Sequence, residues 1–377
     1  MRDRTFGRTQ RRLSVFSLGT MRFDSAADAM AVIGEAIARG INHIETAPAY
    51  GNSERYIGEA LAALFAQQAV RREQLTLTSK LTPTLKAEQV GPALENSLTQ
   101  LGIECLDCLA IHGINTVEHL AWVTDEMLPA LRVAQAQGLI GHLGFSTHAP
   151  LAVIERAIST DAFSFINLHY NFFFQRNAPA IEQAYQQGMG IFIISPADKA
   201  GMLYTPPETL KALCAPYDPL LLNYRWLLSD TRITTLSIGP ATVDELDWPL
   251  QGADDVQPLS AEERQAIARL EQAQLQTLGS DRCAQCHQCL PCPEVINIPE
   301  VLRLRNMAVA YDMEAFGQYR YGMFENAGHW FPGRRGDRCT DCGDCLPRCP
   351  EQLDIPSLLR DTHQRLKGQQ RRRLWGD

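Results

Sequence analysis

The sequence lacks the features that mark membrane-spanning, secreted and nucleic-acid-binding proteins. No run of about 18 uninterrupted apolar residues occurs. The N-terminal segment MRDRTFGRTQRRLSVFSLG is basic but has no apolar core of the kind found in secretory signals. A net charge of −8 gives no basic excess for neutralising phosphates. We therefore expect a cytoplasmic protein with no membrane insertion and no nucleic-acid partner.

A G-x-G-x-x-G turn after the first strand is also missing, which argues against an open doubly wound sheet. Instead, an Ala-rich amphipathic helix, a glycine and a β-branched apolar strand follow one another repeatedly. This pattern occurs at 29–47, 131–147 and 181–198. Further strands are predicted at 13–19, 75–81, 106–113, 163–171 and 234–240. Eight strands alternating with helices predict an α/β fold, a (β/α)8 TIM barrel.

The composition changes near residue 279. A Pro/Gly/Asp loop at 249–260 precedes a last amphipathic helix at 260–276 with a Ser cap, and cysteine-bearing loops joined by helices follow. We predict a barrel over 1–278 and a small, mostly α-helical domain over 279–377. Near the end, Arg365, Lys367 and 371–373 form a basic cluster that is either a solvated tail or a dock for an acidic partner.

Four polar side chains follow successive predicted strands: Glu45, Tyr50, Lys80 and His112. Catalytic residues of such barrels lie at the C-terminal ends of the strands, so these groups should converge. A neighbouring ammonium should lower the pKa of the Tyr50 phenol, and a carboxylate should hold that ammonium in place. The imidazole can orient a carbonyl oxygen or assist proton transfer. Such a site could protonate a carbonyl as hydride reaches its carbon.

The sequence here resembles the aldo-keto reductase superfamily over about residues 5–275. The residues that carry the resemblance are LGTMRF (18–23), GINHIETAPAYGNSE (40–54), LTSKL (77–81), LDCLAIHG (106–113), GLIGHLGFSTH (138–148) and ISPADKAGML (194–203). The resemblance implies that Tyr50 is the general acid, that Lys80 tunes it and that His112 orients the substrate carbonyl. Glu45 stands where the family usually has aspartate, and its greater length should seat Lys80 differently.

The resemblance also implies a nicotinamide cofactor. Its contacts map onto Ser146, Thr147, Asn167, Ser195, Gly239 and Thr242. Ile194 stands where an aromatic residue usually stacks on the nicotinamide. No Lys or Arg occurs from 233 to 263, and Glu245 would disfavour a phosphate if it pointed into that pocket. The choice between NAD and NADP is open at this point.

Eight of the eleven cysteines fall into two groups, which is unlike a disulfide framework in a reducing compartment. The groups are Cys283, Cys286, Cys289, Cys292 with Pro293, and Cys339, Cys342, Cys345, Cys349 with Pro350. The second has the C-x2-C-x2-C-x3-C-P spacing of two-cluster bacterial ferredoxins, in which the fourth cysteine ligates the other cluster. Cys105, Cys108 and Cys214 are expected to be small buried residues.

Applied here, that pattern predicts two 4Fe-4S clusters. One would use Cys283, Cys286, Cys289 and Cys349, and the other Cys339, Cys342, Cys345 and Cys292. Cys292 comes one residue early, so its cluster should be the more labile one. A pair of structural zinc sites is the alternative. The long helical spacer resembles the α-helical ferredoxin domains of respiratory iron–sulfur subunits, and the whole chain resembles a subfamily of reductases with such a tail.

The leading hypothesis is an NAD(P)-dependent oxidoreductase acting on a small carbonyl or alcohol, with two clusters that exchange electrons with a protein partner. Nicotinamide moves two electrons as hydride, each cluster moves one, and no flavin-binding signature stands between them. The alternative is a noncatalytic redox-sensing or scaffold protein built on the same barrel, with structural clusters.

Overall fold

The computed structural model describes residues 1–368, and residues 369–377, including the basic 371–373, lie outside the described part. The chain divides into two compact units, Met1–Lys199 with Asn223–Pro258, and Ala200–Leu222 with Leu259–Asp377. No helix of the described residues is long and apolar enough to cross a membrane.

The first unit contains a closed barrel of eight parallel strands, as predicted. A short antiparallel hairpin of β1 (Asp3–Thr5) and β2 (Arg12–Ser14) precedes it. The barrel strands in chain order are β3 (Phe16–Gly19), β4 (His43–Glu45), β5 (Thr76–Leu81), β6 (Leu106–His112), β7 (Ile140–Ser146), β8 (Phe165–Leu168), β9 (Gly190–Ile193) and β10 (Thr235–Ile238). Strand β10 pairs with both β9 and β3, which closes the barrel.

Helices separate the barrel strands. They are α1 (Ala26–Ala38), α2 (Ser53–Ala66), α3 (Ala87–Leu101), α4 (Val117–Trp122), α5 (Leu128–Ala136), α6 (Leu151–Ser159), α7 (Ala178–Gln186), α8 (Glu208–Cys214), α9 (Pro219–Ser229) and α10 (Asp247–Leu250). Gly138 and Gly188 follow α5 and α7 with φ values of 77° and 69°. Glycine adopts this left-handed conformation without strain, so it ends each helix just before the next strand.

The second unit is mostly helical and contains α11 (Ala261–Leu278), α12 (Ile298–Tyr311), α13 (Glu314–Tyr321) and α14 (Ile355–Leu366). Helix α11 begins at the predicted Ser260 cap, whose side chain accepts a hydrogen bond from the Glu263 backbone N–H. The Tyr311 hydroxyl donates to the Leu270 carbonyl at 2.9 Å, which ties α12 to α11. The structure thus groups α11 with the cysteine-bearing loops, whereas the predicted division at 278/279 stays a prediction.

Candidate active site and cysteine cavities

Tyr50, Lys80 and Glu45 form one hydrogen-bonded set at the C-terminal end of the barrel. The Lys80 ammonium donates to the Tyr50 hydroxyl at 2.8 Å and lies 2.6 Å from Glu45 Oε1. Glu45 ends β4 and Lys80 lies on the neighbouring β5, while Tyr50 ends the short turn Pro48–Tyr50 that follows β4. Parallel strands therefore place the carboxylate and the ammonium side by side beneath the phenol. The longer Glu45 side chain leaves the Lys80–Tyr50 contact formed.

The buried ion pair is held from two further sides. Glu45 and Lys80 are 4% and 3% exposed, and an ion pair at that depth needs additional hydrogen bonds to offset the loss of hydration. The Thr46 carbonyl accepts from Lys80 at 3.2 Å, and the Asn167 amide donates to Glu45 Oε1 at 3.1 Å from the other side of the barrel interior.

His112 ends β6 next to the Tyr50 ring. The two rings meet edge to face, with centroids 5.6 Å apart and an interplanar angle of 87°. His112 is half-buried, so its imidazole lies beside the phenol and within reach of a molecule in the barrel mouth. The structure thus brings together all four side chains that the strand ends predicted.

The net pKa of Tyr50 is higher than that of an ordinary tyrosine. Burial raises the pKa most, Lys80 lowers it and Glu45 raises it. The sequence-based expectation of a lowered pKa was therefore right about the influence of Lys80 but wrong about the sum, because burial outweighs the ammonium. Burial lowers the pKa of Lys80, yet Glu45 and Tyr50 raise it more, so Lys80 stays charged.

The predicted nicotinamide contacts differ in how many hydrogen bonds their side chains can still form. Asn167 is fully buried, and its Oδ1 atom has no hydrogen-bond partner while its Nδ2 atom donates to Glu45. The Thr147 hydroxyl is already used, since it donates to the Ile114 carbonyl at 2.8 Å and accepts from the Ala149 N–H at 3.0 Å. Ser146 ends β7, where its hydroxyl lies 3.4 Å from the Ile111 carbonyl.

Gly239 and Thr242, the cofactor contacts predicted for a phosphate, lie in the loop after β10, and Ser195 lies just beyond β9 with a φ of 50°. Instead of a long helix, this loop leads into a four-residue 3-10 turn that Thr242 precedes. Glu245 accepts from the Ala241 N–H at 2.9 Å and pairs with Arg22, which also donates to the Gly239 carbonyl at 3.0 Å. The Glu245 carboxylate therefore already accepts the hydrogen bond of one backbone N–H of this loop.

In the second unit, the eight clustered cysteines line two small cavities. The first is lined by Cys292, Cys339, Cys342 and Cys345, and the second by Cys283, Cys286, Cys289 and Cys349. Each set takes three cysteines from one group and the last cysteine of the other, which is the crossed arrangement that the spacing predicted. Ile298, the first residue of α12, lines both cavities.

Each set of four thiols lines one of these cavities. Among residues 1–368, no three His, Cys, Asp or Glu side chains form a group that could hold a single metal ion. The remaining walls of the second cavity are largely apolar, with Pro299, Leu302, Leu353 and Ile355 among them. Four thiols are the donor set that an iron–sulfur cluster takes.

Residues 16–272 match the model of the Aldo/keto reductase family, which is well over half of the chain. The chain belongs to the aldo/keto reductase family. Residues 282–353 match the model of a 4Fe-4S dicluster domain. Both parts of the resemblance seen in the sequence are thereby confirmed.

The curated relatives are similar to this chain over limited segments. An Aldo-keto reductase family 1 member A1 of Mus musculus is 36% identical over 155 residues, 37% of this chain and 47% of the relative. A Glycine max protein named NAD(P)H-dependent 6'-deoxychalcone synthase is 40% identical over 105 residues, 27% of this chain and 33% of the relative. The chain thus spans less than half the length of these curated relatives.

A solved aldo-keto reductase of Bacillus halodurans, in its holo form, superposes with a TM-score of 0.62 at 22% identity. The match covers 71% of this chain and 96% of that one. At this identity the likeness shows the barrel fold alone.

Three features of the barrel were not predicted from the sequence: the Asn167–Glu45 contact, the Arg22–Glu245 pair and a cluster of His148, His169 and Lys199. The first two join residues far apart in sequence, so no local pattern could reveal them. A signal for the cluster did exist, since His148 and His169 each lie two residues beyond a predicted cofactor contact, Ser146 and Asn167.

Proposed function

We propose that this chain is an NAD(P)-dependent oxidoreductase that interconverts a small carbonyl compound and its alcohol. We propose further that its dicluster domain holds two 4Fe-4S clusters that exchange single electrons with a protein partner. The observation that carries the first proposal is the Lys80–Tyr50 hydrogen bond of 2.8 Å beside the Lys80–Glu45 pair. The Glycine max relative, whose name includes NAD(P)H dependence, supports the choice of cofactor.

The unpartnered Asn167 Oδ1 supports a nicotinamide cofactor in the barrel. A buried acceptor without a partner costs free energy, and a carboxamide N–H is a donor that would satisfy it. Ser146 ends the neighbouring strand beside Asn167 and would contact the same nicotinamide carboxamide. Bound NAD(P)H would supply the hydride, and the cofactor phosphates would lie toward Ser195, Gly239 and Thr242.

The chain's own residues then transfer one proton to or from the substrate. Because its pKa is raised, Tyr50 keeps its hydroxyl proton at neutral pH and can give it to a carbonyl oxygen that gains negative charge. Lys80, held by Glu45, stabilises the phenolate left behind, and His112 orients the carbonyl oxygen. In the opposite direction, the same phenolate accepts the proton of an alcohol.

The two cysteine-lined cavities support the cluster proposal. Each is lined by four thiols, three from one loop and the last cysteine of the other, which is the crossed ligand set of two-cluster ferredoxins. Clusters bound there would supply one-electron transfer. The ligands would be Cys283, Cys286, Cys289 and Cys349 for one cluster and Cys339, Cys342, Cys345 and Cys292 for the other.

The test compares carbonyl-dependent oxidation of NADH and NADPH by the native chain and by Tyr50→Phe, with a panel of aldehydes and ketones. We expect turnover to fall at least 100-fold in Tyr50→Phe, because a positioned general acid contributes about that much or more. The matched control is Tyr185→Phe, since Tyr185 is 51% exposed and should keep full activity.

Binding of NADH and NADPH, followed by fluorescence, separates loss of chemistry from loss of the cofactor site. Tyr50→Phe should still bind the dinucleotide. If the native chain neither binds a nicotinamide dinucleotide nor turns over any carbonyl, the enzyme proposal is wrong and the noncatalytic redox protein replaces it.

A further inference from the structure

Three basic side chains meet beyond the ends of three neighbouring barrel strands. His148 follows β7, His169 follows β8, and Lys199 follows β9. The Lys199 Nζ atom lies 2.9 Å from His169 Nε2, and the His148 Nδ1 atom lies 3.1 Å from the same nitrogen. The two imidazole rings meet edge to face with centroids 4.4 Å apart. The proposed proton transfer uses none of these groups.

Lys199 and His148 both face the same nitrogen of His169. The His169 Nδ1 atom lies 3.0 Å from the Ile194 carbonyl, which can only accept, so Nδ1 carries a proton. In the neutral ring, Nε2 then has one lone pair facing both Lys199 and His148. If Nε2 were protonated as well, an imidazolium would face an ammonium at 2.9 Å. An anionic oxygen that accepts from Lys199 and an imidazole would remove this conflict.

The cluster is built into the barrel instead of lying loosely on its surface. His169 is 8% exposed, and the Asn177 amide fixes its backbone by donating to the His169 carbonyl at 2.9 Å. The His148 backbone N–H donates to Asn115 Oδ1 at 2.7 Å. His169 lies two residues beyond Asn167, whose side chain reaches Glu45. The cluster therefore lies near the barrel mouth, on the side across from the strand that carries Glu45.

Asp198 is the acidic residue next to this cluster along the chain. Its carboxylate interacts electrostatically with Lys199, with Arg22 and with Glu245. Burial raises the pKa of the Asp198 carboxyl and Lys199 lowers it, so the charged carboxylate is less favoured here than on an open surface. Arg22 and Glu245 pair with each other and add no net charge.

We propose that His148, His169 and Lys199 form a binding site for an anionic oxygen group, a carboxylate or a phosphate, of a ligand in the barrel mouth. The ligand is either an anionic substrate, such as a carbonyl compound with a carboxylate or phosphate, or the dinucleotide through its pyrophosphate. The anion site is inferred from the contacts among His148, His169 and Lys199. Only the identity of the ligand rests on the proposed function.

The test uses inorganic phosphate as the probe and follows its binding to the full chain by phosphorus NMR. We expect Lys199→Met to weaken phosphate binding about tenfold or more, since a charge-assisted hydrogen bond is lost. Lys199→Arg should restore most of the binding. Lys86→Met is the matched control, because Lys86 is an exposed lysine at the start of α3 and should leave binding unchanged. If Lys199→Met does not fold, His148→Gln replaces it in the phosphate titration, and a melting curve checks that this variant is folded.

Repeating the titration with saturating NADH identifies the source of the anion. Displacement of phosphate by NADH, together with weaker NADH binding in Lys199→Met, assigns the site to the cofactor pyrophosphate. Simultaneous binding of phosphate and NADH assigns it to a substrate anion. Phosphate binding that is absent, or equal in the native chain and Lys199→Met, overturns the site. Phosphate binding without any dinucleotide binding leaves the site standing and contradicts the proposed function instead.

Discussion

At the scale of single residues, Glu45 is the departure from the family pattern that matters most. Its carboxylate lies 2.6 Å from Lys80, and the Lys80–Tyr50 hydrogen bond is formed beside it. Asn167 binds the same carboxylate oxygen and leaves its own Oδ1 unpartnered. One amide therefore connects the ion pair to the proposed nicotinamide site, and cofactor binding and proton transfer should be coupled through it.

The opposing influences on Tyr50 predict opposite effects of two substitutions. Lys80→Met should move the ionisation of Tyr50 to higher pH, because Lys80 lowers that pKa, and carbonyl reduction should fall about 100-fold. Glu45→Gln should move the ionisation to lower pH, because Glu45 raises the pKa. Tyrosinate absorption, taken as the difference between each variant and its Tyr50→Phe double variant, measures both shifts.

The sign of the pH dependence follows from the same groups. The acid form of Tyr50 is needed for reduction, and its raised pKa keeps that form present through neutral pH. Reduction by the native chain should therefore be independent of Tyr50 ionisation until the pH exceeds about 10, the ordinary value of a tyrosine. An activity loss with a midpoint below that value, which moves to still lower pH in Glu45→Gln, would contradict this description of the site.

At the scale of elements, the barrel strands were predictable because continuous apolar runs, helix-ending glycines and strand-end polar residues all agreed. The predicted strand at 13–19 is in fact two, since β2 pairs with β1 before β3 enters the barrel. Runs of apolar residues do not show where a chain changes its pairing partner. Contacts across the barrel, such as Asn167 with Glu45, could not be predicted because they depend on closure of the sheet.

The two cysteine loops exchange their last ligands, and this exchange predicts the outcome of double substitutions. Cys283 and Cys349 line the same cavity, so Cys283→Ala and Cys349→Ala should each remove about half of the roughly eight irons. The double variant should lose no more iron than either single variant. Cys339→Ala with Cys349→Ala should lose iron from both clusters. Iron and sulfide content after anaerobic reconstitution gives the measurement.

Cys105→Ala is the control, because Cys105 lines neither cavity and should leave the iron content unchanged. Additive loss in Cys283→Ala with Cys349→Ala would show that each loop ligates its own cluster and that the crossed assignment is wrong. The early position of Cys292 still predicts that its cluster is lost first when oxygen is admitted.

At the scale of the whole molecule, two-electron and one-electron chemistry are proposed for one chain. The barrel contributes a proton donor suited to hydride chemistry, and the dicluster domain contributes cavities suited to single-electron carriers. Sequence patterns predicted both parts, because strand periodicity and cysteine spacing are local. They could not predict that His169 and Lys199 of the proposed anion site meet, because that contact depends on β8 and β9 being neighbours in the closed sheet.

The central claim is that the barrel reduces a carbonyl by direct hydride transfer with Tyr50 as proton donor. The most direct measurement follows deuterium from C4-deuterated NADH or NADPH into the alcohol by mass spectrometry, in ordinary water. We predict one deuterium on the carbinol carbon of the product formed by the native chain and almost no product from Tyr50→Phe. Alcohol formed by the native chain without deuterium would mean that electrons reach the substrate by another route, and would contradict the account.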